Sequence, residues 1–482
     1  MRDLIDGMPR LIQAGMGVRI SGARLANAAS RLGALGVVSG AGLRHVVIEE
    51  IRAGNEEVLR AVRAFPIGRY VEEMMAWAPG GTKWNRPAPV DDVDPAKGAL
   101  PQRLSVIAAF VEVMRAKEGH RGKVGVNVMW KCTLTVLPTI LGAMLAGSDA
   151  LLCGAGVPIE LPEILQKLQA GENLAYRPLT GTGTNVSLDV SGDGIACLLA
   201  GIPSPRMIPI LSNYAFPRRI LDVWERERGG VRPVAFVLED HRAGGHNAPP
   251  RNHESFGEKD DLTGYFDKVV ATGIPVYVAG SFPGGGGRED FLSWTSRGAY
   301  GIQVGSRFAL CEESGLRDDL KDALIAANAN GGAVVTTARC ASPTGYPFKV
   351  AALPGTLTDP EVYAARTRVC DKRYLVQSHL VEQLDGTTRE TYICPAMPET
   401  QFVALGGDAA ETPDRVCLCN ALLSTAGFFS DREAPIVTLG LSGSRVTERV
   451  DARRVIEEIL TPEEVATAER ELAGGVGAAA SA

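Results

Sequence analysis

Short apolar or β-branched runs that close on Gly, Asn or an acid recur along the first two thirds of the chain. They are LIQAGMG (11–17), LGVVSG (35–40), KVGVNVMW (123–130), ALLCGAG (150–156), RMIPILSN (206–213), VAFVLED (234–240), IPVYVAG (274–280) and GIQVGSRF (301–308). Helix-compatible stretches such as GARLANAASRLGA and LPTILGAMLAGS lie between them. The runs are continuously apolar rather than alternating, as parallel strands covered on both faces require. Eight such units, with polar residues gathered after the strand C-termini, predict an α/β fold, a (β/α)8 TIM barrel, in preference to a doubly wound sheet.

The same pattern sets the organisation. A barrel spans 1–345, interrupted by an insertion at about 65–105 that carries WAPGGTKWNRPAPVDDVDPAKGALP (77–101). That segment reads as a lid or as a surface loop; Trp77 and Trp84 are costly residues to leave in water. ESGLRDDLKDALIAANANGG (313–332) reads as a helix closed by glycine. A loop-rich, Cys-containing extension follows at 346–440, with CDKRYL, YICPAMP and RVCLCN, and 441–482 is a charged helical end with a frayed tail.

Composition narrows the partners. The net charge of −6 and the lack of a dense Lys/Arg run argue against nucleic acid and anionic membranes, leaving a small-molecule substrate. The N-terminus MRDLIDGMPRLIQAGMG has no export-type apolar core, and no stretch is long enough to span a membrane, so a soluble cytoplasmic protein is expected. Nine cysteines then read as thiols or ligands rather than a disulfide framework. Whether the chain forms a homo-oligomer is left open.

Four groups of residues have chemical potential. Glycines in QAGMG (13–17) let a flat ligand approach the backbone, though a plain tight turn has the same signature. VAGSFPGGGG (278–287) and QVGSRF (303–308) follow the seventh and eighth strands, where barrels build phosphate cradles from backbone N–H groups and a helix N-terminus. EDHRAGGHNAPPRNH (239–253) holds three of the six histidines. His246, carried on a Gly-Gly turn after the sixth strand, is the candidate acid or base. The spacing of His241, His246 and His253 matches no common zinc pattern, and His241 and His253 read as residues bordering the entrance. Cys370, Cys394, Cys417 and Cys419 fall within one 50-residue segment; they suit a closed tetrahedral zinc site, an iron–sulfur cluster, or buried free thiols. Cys132, Cys153, Cys197, Cys311 and Cys340 lie mainly in or beside apolar runs and read as packing, with Cys132 placed to line a pocket.

In order, IQAGMG, GVNVMW, CGAG with LPE, EDHRAGGHN, PVYVAGS and QVGSRFALCEES resemble the nitronate monooxygenase family, over roughly residues 9–345. The later motifs resemble a longer subgroup with a Cys-containing extension. The resemblance implies an FMN-dependent barrel in which the Met16 backbone and the Asn127 side chain face the flavin ring, joined by Glu239 and Gly244. It further implies that Gly280, Gln303, Val304, Gly305 and Ser306 hold the FMN phosphate. His246 falls on the family's catalytic His, and the implied reaction is oxidation of a nitronate or nitroalkane by O2 to a carbonyl compound and nitrite. Members commonly read GxEAGGH; here Glu239 replaces a frequent Gln, and Arg242 replaces the usual acid. Arg242 either favours an anionic substrate or pairs with a nearby acid such as Asp240. The motifs also resemble FMN-dependent enoyl reductases, and NAD(P)H:quinone reduction is open for the same reason. A non-catalytic metal- or phosphate-binding protein is the reading from another class.

Overall fold

The computed structural model describes residue 5 and residues 7–78, 100–176, 186–227, 229–251, 255–383 and 385–473. Eight parallel strands close into a barrel: β1 (Leu11–Gln13), β2 (Leu35–Ser39), β3 (Val124–Met129), β4 (Ala150–Gly154), β5 (Arg206–Leu211), β6 (Phe236–Glu239), β7 (Val276–Ala279) and β8 (Gly301–Val304). Each pairs with its neighbour in chain order, and β8 returns to β1 through Leu11 opposite Ile302. All eight expected strands are present, trimmed where the polar or glycine end of each run leaves the ladder.

Alternation within the apolar runs builds two layers of core. Ile12, Val37, Leu152, Ile208, Val237 and Tyr277 point into the barrel. Their neighbours Leu11, Val38, Leu151, Phe236, Val278 and Ile302 point outward into the larger core shared with the helices. Each such side chain contributes roughly 1.5–3 kcal/mol by leaving water. The amphipathic helix Ala23–Arg31 shows the matching logic, burying Ala23, Leu25, Ala26 and Ala29 against the barrel wall. At the N-terminal end, Tyr277 donates to the Pro9 carbonyl at 2.7 Å and closes the bottom.

Between β2 and β3 the chain forms helices Leu43–Arg52, Glu56–Arg63, Gly68–Trp77 and Leu100–Ala116. The described ends of the segment read as an insertion, 68–77 and 100–105, are therefore helical. The centre of the 77–101 excursion, with Trp84, lies outside the described residues, as do His253 and the tail beyond 473. Asp318–Ala329 is the helix expected before the extension.

The extension packs onto the C-terminal face of the barrel. Phe348–Ala351 pairs antiparallel with Val335–Ala338 on one side and with Gly245–His246 on the other, so the loop after β6 becomes the edge of a three-stranded sheet. A hairpin (Gln377–Glu382 with Thr388–Ile393) and helix Leu418–Thr425 follow. Among the described residues, no helix is long and apolar enough to cross a membrane.

Candidate active site

A cavity of about 250 Å³ opens at the C-terminal mouth of the barrel. Its walls include Met16, Asn127, Glu239, Gly244, His246, Gly280, Gln303, Gly305 and Ser306, brought together from five strand ends. Val304 is the one exception among the expected cofactor residues. As the residue after the inward-facing Gln303 it points outward into the helix-facing core, and its carbonyl accepts the Ala14 N–H at 2.9 Å. Any contribution from Val304 to a ligand is excluded from its side chain by the two-residue period of the strand.

Met16 is held in place by its own loop. Its N–H donates to Ser21 Oγ at 2.7 Å and its carbonyl accepts the Ser21 N–H at 3.3 Å. Both backbone polar groups are spent inside the β1 loop, so Met16 offers the cavity apolar surface rather than a donor. Gln303 does the opposite: it is buried, lines the cavity, and its side-chain oxygen has no hydrogen-bond partner. A buried amide oxygen left so is costly, and a ligand donor would relieve it.

Gly280 ends β7 at φ +82°, a backbone state that favours glycine, and a Cβ there would sit 2.6 Å from the Ala243 nitrogen. Gly244 is fixed by a different neighbour. A Cβ on it would lie 2.9 Å from the nitrogen of Gly440, in the extension, and a Cβ on Gly440 would meet Gly244 at the same distance. Gly440 donates its N–H to Ser306 Oγ at 2.8 Å, and Gly245 donates to Thr438 Oγ1 at 2.7 Å. The extension thus seals the cradle after β7 and β8 from above. Tyr374, Leu375, Leu418, Cys419 and Leu439 complete the wall. None of these was singled out from the sequence for this site; the glycines of TLGLSGS were the only signal available.

His246 lies against the Phe348 ring, with centroids 4.9 Å apart, and its Nε2 is 2.7 Å from Ser342 Oγ. Ser342 Oγ accepts from the Thr344 N–H and faces Thr344 Oγ1 at 2.8 Å. A Ser342 that accepts from Nε2–H as well can donate to Thr344, which leaves the Nδ1 lone pair available. Burial, reinforced by the charge of Lys131, holds His246 down to about 4, so the ring is neutral at pH 7. Because this lies below the ordinary 6.5, the stabilising effect of the neutral ring is present above about pH 6.5 and is lost as pH falls through 4. Replacing Ser342 by alanine is expected to lower kcat about tenfold with little change in KM, since Ser342 positions the ring without touching the cavity. Steady-state kinetics check this; an unchanged kcat sinks the positioning role.

Burial, and after it the neighbouring carboxylate of Asp240, push Glu239 up to about 8. The acid is therefore mostly protonated at neutral pH and, like the glutamine frequent at this position, is a neutral group with both a donor and an acceptor, although with one donor hydrogen rather than two. Its value exceeds the ordinary 4.5, so its contribution to stability is full below about 4.5 and is lost as pH rises to about 8.

Arg242 and His241 of the same loop are engaged away from the cavity. Arg242 bridges Asp240 at 2.8 Å and Asp261 at 2.6 Å, which answers whether it serves an anionic substrate or pairs with acids. His241 stacks on Phe256 at 4.6 Å. Asp240, His241 and Asp261 form the one tight group of potential ligands among the described residues, but the guanidinium of Arg242 already occupies the carboxylates.

Zinc on the four extension cysteines does not fit. A tetrahedral zinc holds sulfurs at about 2.3 Å, which sets them roughly 3.8 Å apart. Among the described residues no set of three ligand atoms that includes these thiols lies within 4.8 Å of one another. Of the remaining cysteines, Cys153 and Cys311 are buried in the core and Cys132 lines the cavity, whereas Cys197 and Cys340 are exposed.

No protein-family model and no curated protein matches the chain. Among solved structures, FabK from Thermotoga maritima aligns over 98% of this chain and 96% of its own, at 17% identity and a TM-score of 0.47. A nitroalkane oxidase from Streptomyces ansochromogenes aligns over 98% and 99%, at 15% identity and 0.45. The enoyl reductase domain of MlnA from Bacillus amyloliquefaciens aligns over 96% and 95%, at 13% and 0.44. Similarities of this size bear on neither the cofactor nor the reaction.

Proposed function

We propose that the mouth cavity binds FMN and that the chain is a flavin-dependent oxidoreductase acting on nitroalkanes or their nitronates, with O2 as the electron acceptor. The observation that carries the reading is a neutral His246 lining the same cavity as the glycine-rich cradle after β7 and β8. The residues fit the cofactor: Gln303 has an unmet buried acceptor in the cavity wall, and Gly244, Gly280, Gly305 and Ser306 line the same cavity. Gly280, Gly305 and Ser306 would hold the phosphate; Asn127, Glu239 and Gln303 would meet the ring. When bound, FMN supplies the redox chemistry.

The chain supplies placement and proton management. His246 Nδ1 accepts the acidic carbon-bound proton of a nitroalkane, and Ser342 fixes the tautomer that leaves Nδ1 free. Phe348, Leu375 and Leu439 exclude water from the reacting face. A histidine held near 4 is neutral at pH 7, so it is free to accept a proton and seldom carries one to donate.

One observation favours the reductive alternative, an enoyl reductase: Tyr374 lines the cavity, its hydroxyl 2.5 Å from His45 Nδ1, and a phenol there would be a candidate acid. Anaerobic mixing with a nitronate, with an enoyl thioester plus NADPH, and with NADH alone separates the readings. Bleaching of bound flavin by the nitronate supports the proposal; bleaching by NAD(P)H alone defeats it.

The protonated Glu239 gives a pH test. Raising pH through about 8 places a carboxylate beside the ring, so flavin affinity should fall there in the wild type and stay level in Glu239→Gln. Flavin fluorescence titrations at several pH values measure it. Parallel pH profiles in the two proteins would remove Glu239 from the ring site.

A further inference from the structure

The extension brings four cysteines from three separate segments into one small cluster. Cys370 follows the helix Pro360–Ala365, Cys394 ends the hairpin, and Cys417 and Cys419 open the helix Leu418–Thr425. All four pack about a common core of Val376, Met397 and Phe402. Cys394 and Cys417 are buried in that core, Cys370 and Cys419 pack against it partly exposed, and all four are free thiols.

We propose that Cys370, Cys394, Cys417 and Cys419 hold an iron–sulfur cluster at the rim of the mouth cavity. The sulfurs converge from several directions yet are too widely set for one tetrahedral ion. In a polynuclear cluster each cysteine binds a different iron or shares one with a single partner, so the four sulfurs enclose a larger volume. A cluster ligated by four thiolates is anionic, and the surroundings carry the complementary groups. Arg373 is buried beside Cys370, and its Nε has no hydrogen-bond partner. Asn420, fully buried, donates from Nδ2 to Asp371 Oδ1 at 2.8 Å and more weakly to Cys417 Sγ at 3.5 Å, while Lys372 pairs with the Asp371 carboxylate at 3.0 Å.

Position gives the site its interest. Cys419 and its neighbour Leu418 also line the mouth cavity, so the two sites share a wall. On the flavin reading above, a one-electron carrier stands beside a two-electron one; the metal site itself does not depend on that reading.

The test is metal and acid-labile sulfide analysis of the full chain purified anaerobically and reconstituted with ferrous iron and sulfide. The expected result is iron and sulfide in equal amounts, about two or four of each per chain, and a low-temperature EPR signal after dithionite. Cys417→Ser/Cys419→Ser should lose both, and Cys340→Ser, an exposed thiol outside the cluster, should keep both. Iron and sulfide at background in the wild type, stoichiometric zinc, or a Cys370–Cys394 disulfide in the anaerobic protein would overturn the proposal. The wild-type measurement decides even where the double variant fails to fold. Flavin is assayed on the same sample: iron without flavin keeps this inference and removes the reading above, and flavin without iron does the reverse.

Discussion

An alanine at position 246 should leave flavin uptake intact and slow turnover of a neutral nitroalkane by about 10²-fold or more, the usual contribution of a positioned base. Retention is expected because His246 is only one residue of the cavity wall, and the cradle after β7 and β8 is built from other strands. The same variant given preformed nitronate, which has already lost its carbon-bound proton, should lose far less. Wild-type kcat/KM for the nitroalkane should keep its activity down to an acid limb near pH 4, set by the depressed His246 value. Steady-state rates with both substrates measure the difference. Equal losses on nitroalkane and nitronate would show that His246 orients the substrate rather than accepting its proton.

Gly440→Val carries the second large effect, and it falls on a residue far from the barrel in sequence. The added Cβ would stand 2.9 Å from Gly244 N, 3.0 Å from Arg242 O and 3.1 Å from Ser306 Oγ, all inside normal contact. The extension segment must therefore move off the cradle. Overpacking of this kind costs roughly 1–3 kcal/mol of stability. Flavin affinity should fall by about a hundredfold, a loss of the size of two good hydrogen-bonded contacts. Thermal melts and flavin titration check the two parts. Undiminished affinity in a folded variant would mean that the extension does not close the cofactor site.

The contrast between those two residues shows what the sequence could convey. Strand positions were legible because two-sided burial forces a continuous apolar run, as in ALLCG at 150–154. His246 was legible because it follows such a run on a Gly-Gly turn. Strand alternation also could have told that Val304, next to an inward Gln303, faces the helices. Gly440, Ser342 and Tyr374 were not legible, because their roles come from long-range packing. Gly440 meets Gly244 across almost two hundred residues, and no local period records such a contact. Met16 is a milder case: the turn was readable in QAGMG, but the capture of its N–H by Ser21 was not.

The central claim, that the mouth cavity is an FMN site, is tested most directly by the chromophore released on denaturation. Protein incubated with FMN and freed of excess should be yellow and, on unfolding, release FMN in stoichiometric amount. A colourless protein after the same incubation, or release of a different chromophore, would contradict it.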